Sequence, residues 1–110
     1  MQSTHEFIAA QKDRFLAELL DLLRIPSVSA DPAYAGDVRK AAEWVADNLR
    51  KAGADQVRLE ETAGFPIVYG EKMVDPSAPT VLVYGHYDVQ PADPLELWDN
   101  PPFEPVIKDG

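Results

Sequence analysis

The sequence predicts an α/β fold in which helices pack on a mixed, partly open β-sheet. Three observations predict it. The first half carries apolar residues at three- and four-residue steps, the spacing of helices with one buried face. After Gly53 the apolar period drops to two, the spacing of half-buried strands. Thr80 to Tyr84 is then a continuous apolar run rich in β-branched residues, as in a strand covered on both faces.

Each element has its own signal. Ser3 with Glu6 has the Ser-x-x-Glu spacing of a capping box, which satisfies two orphan amides at a helix start. Behind it Ile8, Phe15, Leu16, Leu19, Leu20, Leu22 and Leu23 make an amphipathic stripe. One helix therefore runs to about Arg24, because Ile25 precedes Pro26 and is pushed out of the α region. IPSVSADPAYAG is a loop. A second helix spans about Asp37 to Ala52, with Val38, Ala41, Ala42, Val45 and Leu49 facing inward, and Gly53 takes the left-handed C-terminal cap.

Val57 and Leu59 alternate with Gln56, Arg58 and Glu60 as a half-buried strand. FPIVYGEK is a second strand, and VDPSAP is a polar turn. From Val89 to Pro105 the chain carries five of its ten prolines, which makes a long irregular loop. EPVIKDG reads as a short strand entering a hairpin, with Asp109-Gly110 a type I′ turn pair. The sequence ends at that turn, so the fold is expected to be cut off within a motif. No internal repeat, low-complexity tract or heptad series is present.

Composition narrows the function classes. A chain of 110 residues, 45% hydrophobic and 26% charged, has enough apolar material for the core of one small domain. Nineteen acidic residues against ten basic ones give a net charge of −9, which disfavours nucleic acid and anionic membranes as partners. There is no cysteine, so a metal site would have to use imidazole and carboxylate. The N-terminus has no basic region followed by an uninterrupted apolar run, and no window is long and apolar enough to span a bilayer. A cytoplasmic location is the simplest expectation.

The chemistry concentrates in VLVYGHYDVQP, residues 81–91. Along an extended chain Tyr84, His86 and Asp88 project to one side, with the Cα atoms of His86 and Asp88 roughly 7 Å apart. A carboxylate at that distance reaches the imidazole and accepts one ring N–H, which fixes the nitrogen left to coordinate. The motif also sits at the carboxyl end of a strand, where α/β sheets place ligands. From spacing alone, such a pair is more often a hydrogen-bonded turn that holds no ion. Elsewhere the structural readings win: His5 faces solvent in a first helical turn, Trp44 and Trp98 pack, and Glu60-Glu61 decorates a strand surface. The six glycines form no phosphate loop, and no Ser-His-Asp set is present.

VLVYGHYDVQP together with LWDNPPFEPVIKDG resembles the N-terminal part of the M20 family of metallopeptidases, in its dipeptidase, carnosinase-like branch. LLRIPSVSADP and AAEWVADNLRKAGA resemble the same family's opening segment, so the likeness covers essentially the whole chain in order. It implies that residues 1–110 are the N-terminal portion of a zinc-peptidase-like catalytic domain, with no second domain present. It implies His86 as a metal ligand and Asp88 as the catalytic-site residue that orients it. Two zinc ions per complete site are implied, with cobalt or manganese as alternatives, and a dipeptide or short peptide as substrate. In the family, paired cations lower the pKa of a shared water and polarise the scissile carbonyl while a Glu takes the proton. The remaining ligands, that Glu and an inserted dimerisation domain have no counterpart in these 110 residues, so the chain alone is expected to be inactive and the full-length protein a homodimer. Tyr87 and Gln90 lean toward the dipeptidase branch rather than the deacylases. The alternative from another class is a free-standing, non-catalytic interaction module that pairs through an exposed sheet edge. The coding sequence beyond Gly110 separates the two.

Overall fold

Four of the six buried apolar residues lie on one face of a single helix, and Ile25 and Val28 precede it. In the computed structural model, which describes residues 1–110, three α-helices and two strands form beside two short 3₁₀ turns: α1 (Thr4–Ala10), α2 (Lys12–Leu23), α3 (Ala35–Lys51), β1 (Asp55–Glu60) and β2 (Ile67–Glu71). The chain divides into two compact units, one of residues Pro26–Pro91 and one of Met1–Ile25 with Ala92–Gly110.

In the Pro26–Pro91 unit, Val38, Ala41, Ala42 and Ala46 of α3 are buried, and Val45 and Leu49 extend the same stripe half-buried. These positions step by three and four, the helical spacing that places them on one side. The alanines in the middle of the stripe let the β1–β2 hairpin lie near the helix axis. Gly70 completes the fit: a Cβ there would stand 3.2 Å from Leu49 Cδ1 and 3.4 Å from Val57 Cγ2. The helix ends in a Schellman motif. The Ala54 N–H reaches the Leu49 carbonyl at 2.9 Å and the Gly53 N–H the Arg50 carbonyl at 3.0 Å, with Gly53 at φ +89°.

β1 and β2 pair antiparallel, with Leu59 opposite Val68 and Glu60 opposite Ile67. Between Asp55 and Arg58 the register shifts, a bulge that sets Gln56 at φ +53°. The alternation of Val57 and Leu59 against Arg58 and Glu60 holds, with the apolar pair half-buried and the charged pair exposed. A second, parallel bridge joins Val28 to Val89. The α/β class is thus realised as a helix on a small antiparallel sheet, with a parallel contact at the motif.

In the other unit, the capping box forms: Glu6 N–H donates to Ser3 Oγ at 3.2 Å and Ser3 N–H to Glu6 Oε2 at 2.7 Å. The single helix expected from Ser3 to Arg24 is instead two. Gln11 interrupts it at φ −105°, ψ 7°, its N–H shared between the Phe7 and Ile8 carbonyls. The rings of Phe7 and Phe15 meet edge-to-face across the break at a centroid separation of 6.1 Å. The stripe stays largely at the surface, and neither helix buries a residue.

Two strand expectations fail. Thr80–Tyr84 forms no ladder and is not buried: Leu82 is 91% exposed and Tyr84 89%. An apolar run becomes a covered strand only when neighbouring strands take up its N–H and C=O groups, and none within these residues does. EPVIKDG likewise forms no strand, although Asp109 and Gly110 both take positive φ, as a type I′ turn requires. The irregular 89–105 segment holds, with a short 3₁₀ turn at Leu95–Leu97.

Candidate functional site

Two stretches sixty residues apart come together to build the site. Pro26 removes Ile25 from the helix and starts an irregular segment, Pro26–Ser29, in which the Val28 N–H turns back to the Pro26 carbonyl at 2.8 Å and Val28 is buried. This segment lies along the GHYDV motif. Val89 N–H donates to the Ser27 carbonyl at 2.9 Å, and Ser27 Oγ donates to the Tyr87 carbonyl at 2.8 Å. Ser27 is only 3% exposed, so its hydroxyl needs the bond it makes.

His86 and Asp88 meet as the spacing predicts. Nδ1 of His86 lies 3.1 Å from Asp88 Oδ1 and 3.0 Å from the Asp88 carbonyl. A carboxylate and a carbonyl only accept, so Nδ1 carries a hydrogen, and in the neutral ring the lone pair is then on Nε2. The other carboxylate oxygen, Oδ2, accepts from Ser29 Oγ at 2.6 Å. That hydroxyl is the main reason the Asp88 carboxyl sits below the usual range; burial pushes the other way, and the hydrogen bond to His86 adds to the lowering. The imidazole itself is open, its side chain 75% exposed.

Tyr87 points away from this pair, as alternation along the chain requires. Its hydroxyl donates to the Pro66 carbonyl at 2.5 Å and so ties the motif to the turn before β2. Burial raises its phenol pKa, and the charge of Asp88 raises it further. Beside the motif lies an open, mainly apolar groove of about 670 Å³, lined by Val38, Val45, Phe65, Tyr69, Leu82 and Tyr87 among others.

Tyr84, expected on the same side as His86 and Asp88, makes no hydrogen bond with them and stands exposed. His5 is exposed, as expected. Glu60 pairs with Arg58 and Glu61 with Arg39 on the surface. Trp44 is half-buried, but Trp98 is 52% exposed, so its packing role fails; its indole N–H instead donates to the Ala92 carbonyl at 2.9 Å. Ser27 and Ser29 are bonded to the motif in ways that the motif alone does not reveal. Their one signal in the sequence is spacing: they flank Val28 at the same i, i+2 step that relates His86 to Asp88.

No three His, Cys, Asp or Glu side chains converge as a metal cage. The donor set fits one imidazole ligand with its orienting acid, short of the three or four protein ligands a zinc ion takes.

No family model matches the chain. It is similar to the Cys-Gly metallodipeptidase DUG1 of Saccharomyces cerevisiae, 31% identical over all of this chain and 25% of the relative. It is 36% identical to dug1 of Schizosaccharomyces pombe over 94% of this chain and 24% of that one. A cysteinylglycine-S-conjugate dipeptidase of Corynebacterium striatum is 33% identical over 98% of this chain and 24% of its own length. A solved structure of the dipeptidase Dug1p from Saccharomyces cerevisiae superposes with a TM-score of 0.82 at 33% identity, over 92% of this chain and 23% of that chain. The chain therefore spans about a quarter of the length of the curated relatives it matches.

Proposed function

Sequence and fold alike relate the chain to the metallodipeptidases, and on that premise we propose that it supplies part of the catalytic domain of a metal-dependent dipeptidase of the M20 type. The observation that carries this reading is the tied imidazole: Nδ1 of His86 is held by Asp88, and Nε2 is left free and exposed. His86 Nε2 is the ligand atom, and Asp88 fixes its direction and raises its basicity. The metal is zinc, with cobalt or manganese as substitutes, since imidazole and carboxylate suit all three. When bound, divalent metal supplies Lewis-acid polarisation of the scissile carbonyl and acidifies water at the site.

This chain's own residues do the positioning. Asp88 holds the imidazole, the Ser27 carbonyl and hydroxyl hold the motif backbone, and Tyr87 anchors the strip to the turn at Pro66. The remaining ligands and the general base lie outside these 110 residues, so the chain alone is inactive. The substrate is a short peptide. The names of the relatives make Cys-Gly the first one to try. No helix is long and apolar enough to cross a membrane; a cytoplasmic homodimer is part of the proposal.

The test uses the full-length protein that contains this segment. His86→Ala should lower bound metal and reduce Cys-Gly hydrolysis by roughly two orders of magnitude or more, a ligand's loss exceeding the tenfold or more of an orienting group. The far-ultraviolet spectrum should stay unchanged. Full metal content and full turnover in that variant would refute the reading. The exposure of Val81–Tyr84, whose backbone groups no strand in these residues takes up, supports the second reading, a module that pairs with another chain along this segment. In that case His86→Ala leaves function intact, and Val83→Lys abolishes it.

A further inference from the structure

We infer that Ser29 is a positioning residue for His86, acting through Asp88. The inference takes its functional meaning from the dipeptidase reading above. The carboxylate of Asp88 is spanned at both ends: Oδ1 meets the imidazole Nδ1 at 3.1 Å, and Oδ2 accepts from Ser29 Oγ at 2.6 Å. The terminal torsion of an aspartate is broad and roughly two-fold, so one hydrogen bond alone leaves the carboxylate free to turn. The Ser29 hydroxyl removes that freedom. It can only donate, because an ionised carboxylate only accepts.

Ser29 is itself held. It comes directly after buried Val28, whose bridge partner is Val89, the residue after Asp88. Two residues earlier, Ser27 clamps the motif backbone through Val89 N–H and the Tyr87 carbonyl. The segment after α2 thus divides its work: Ser27 sets where the motif backbone lies, and Ser29 sets where the Asp88 carboxylate points. Through Asp88, Ser29 adds a held carboxylate to the Asp88 carbonyl, which lies 3.0 Å from the same nitrogen, and so strengthens the preference for the hydrogen on Nδ1.

A serine that merely ties two loops together would leave the imidazole tautomer unchanged, so the tautomer is the readout. The chain has two histidines, His5 and His86, which ¹⁵N-histidine labelling resolves and His5→Gln assigns. Spectra are taken on the metal-free chain roughly two units above the ordinary imidazole pKa of about 6.5. His86 should show the pattern of a single Nδ1–H tautomer. Ser29→Ala should shift it toward the Nε2–H form that free imidazole prefers, with the backbone amide spectrum retained. Ser29→Thr and Ser29→Val share one shape and differ in the hydroxyl, so Thr should keep the Nδ1–H pattern and Val should lose it. Identical tautomers in the Thr and Val variants, or no Nδ1–H preference in the parent chain, would overturn the inference. No metal enters that measurement. A separate arm tests the reading beneath it: in the full-length protein Ser29→Val should weaken zinc binding about tenfold or more. A tautomer that shifts while zinc affinity holds keeps Ser29 as the positioning residue and removes His86 from the metal site.

Discussion

Glu6 and Ser3 exchange two hydrogen bonds at the start of α1, and each side chain occupies a backbone group the helix leaves bare. The Ser3 N–H is the main cause that holds the Glu6 carboxyl below the usual glutamate range, and the Ser3 hydroxyl adds to it. A depressed folded value means the contribution to α1 is complete above the unfolded glutamate value and is lost as pH falls through the folded one. Carboxyl ¹³C titration should place the Glu6 midpoint below that of an exposed glutamate, and Ser3→Ala should move it upward. A midpoint in the ordinary range for the parent chain would show the box is not formed. This pair was legible because capping is local: Ser3 to Glu6 carries all of it. Ser29 was not, because the carboxylate it serves lies 59 residues away.

Among the elements, α3 and its cap were the easiest to read. Its apolar stripe, its length and the left-handed Gly53 all arise from residues within the element itself. Gly53→Ala keeps the Schellman bonds only by holding a β-carbon at φ +89°. It should cost about 1 kcal/mol. A shift of the urea midpoint with an unchanged slope would report it; no shift would mean the cap relaxes into another form. Strands are different, because a strand is completed by its neighbours. The β1–β2 hairpin was readable since both partners lie within a short span. Thr80–Tyr84 has the composition of a covered strand and none of the cover, so sequence and structure part there for a physical reason. The break at Gln11 had no such warning: no Gly or Pro marks it, and the helical periodicity passes straight through.

At the scale of the whole molecule, the candidate site was half legible. The imidazole and its carboxylate were visible within one short motif, and their contact formed as the spacing required. What holds them came from the far side of the hairpin. The Ser27–Tyr87 and Ser29–Asp88 bonds close a circuit of about sixty residues that contains α3, β1 and β2. Bringing such distant ends together costs about 4 kcal/mol in chain entropy beyond the constant for any closure. That loss is recovered only after the helix and hairpin have condensed, so the ties from Ser27 and Ser29 should form last. Pulsed hydrogen exchange during refolding should find the Val89 amide, bonded to Ser27, protected later than the amides of α3. Simultaneous protection would mean the two ends meet early. A chain built this way should keep a clock: until its slowest tie is made, it is a helix and a hairpin with a loose strip at one end, and the setting of the Asp88 carboxylate waits on topology.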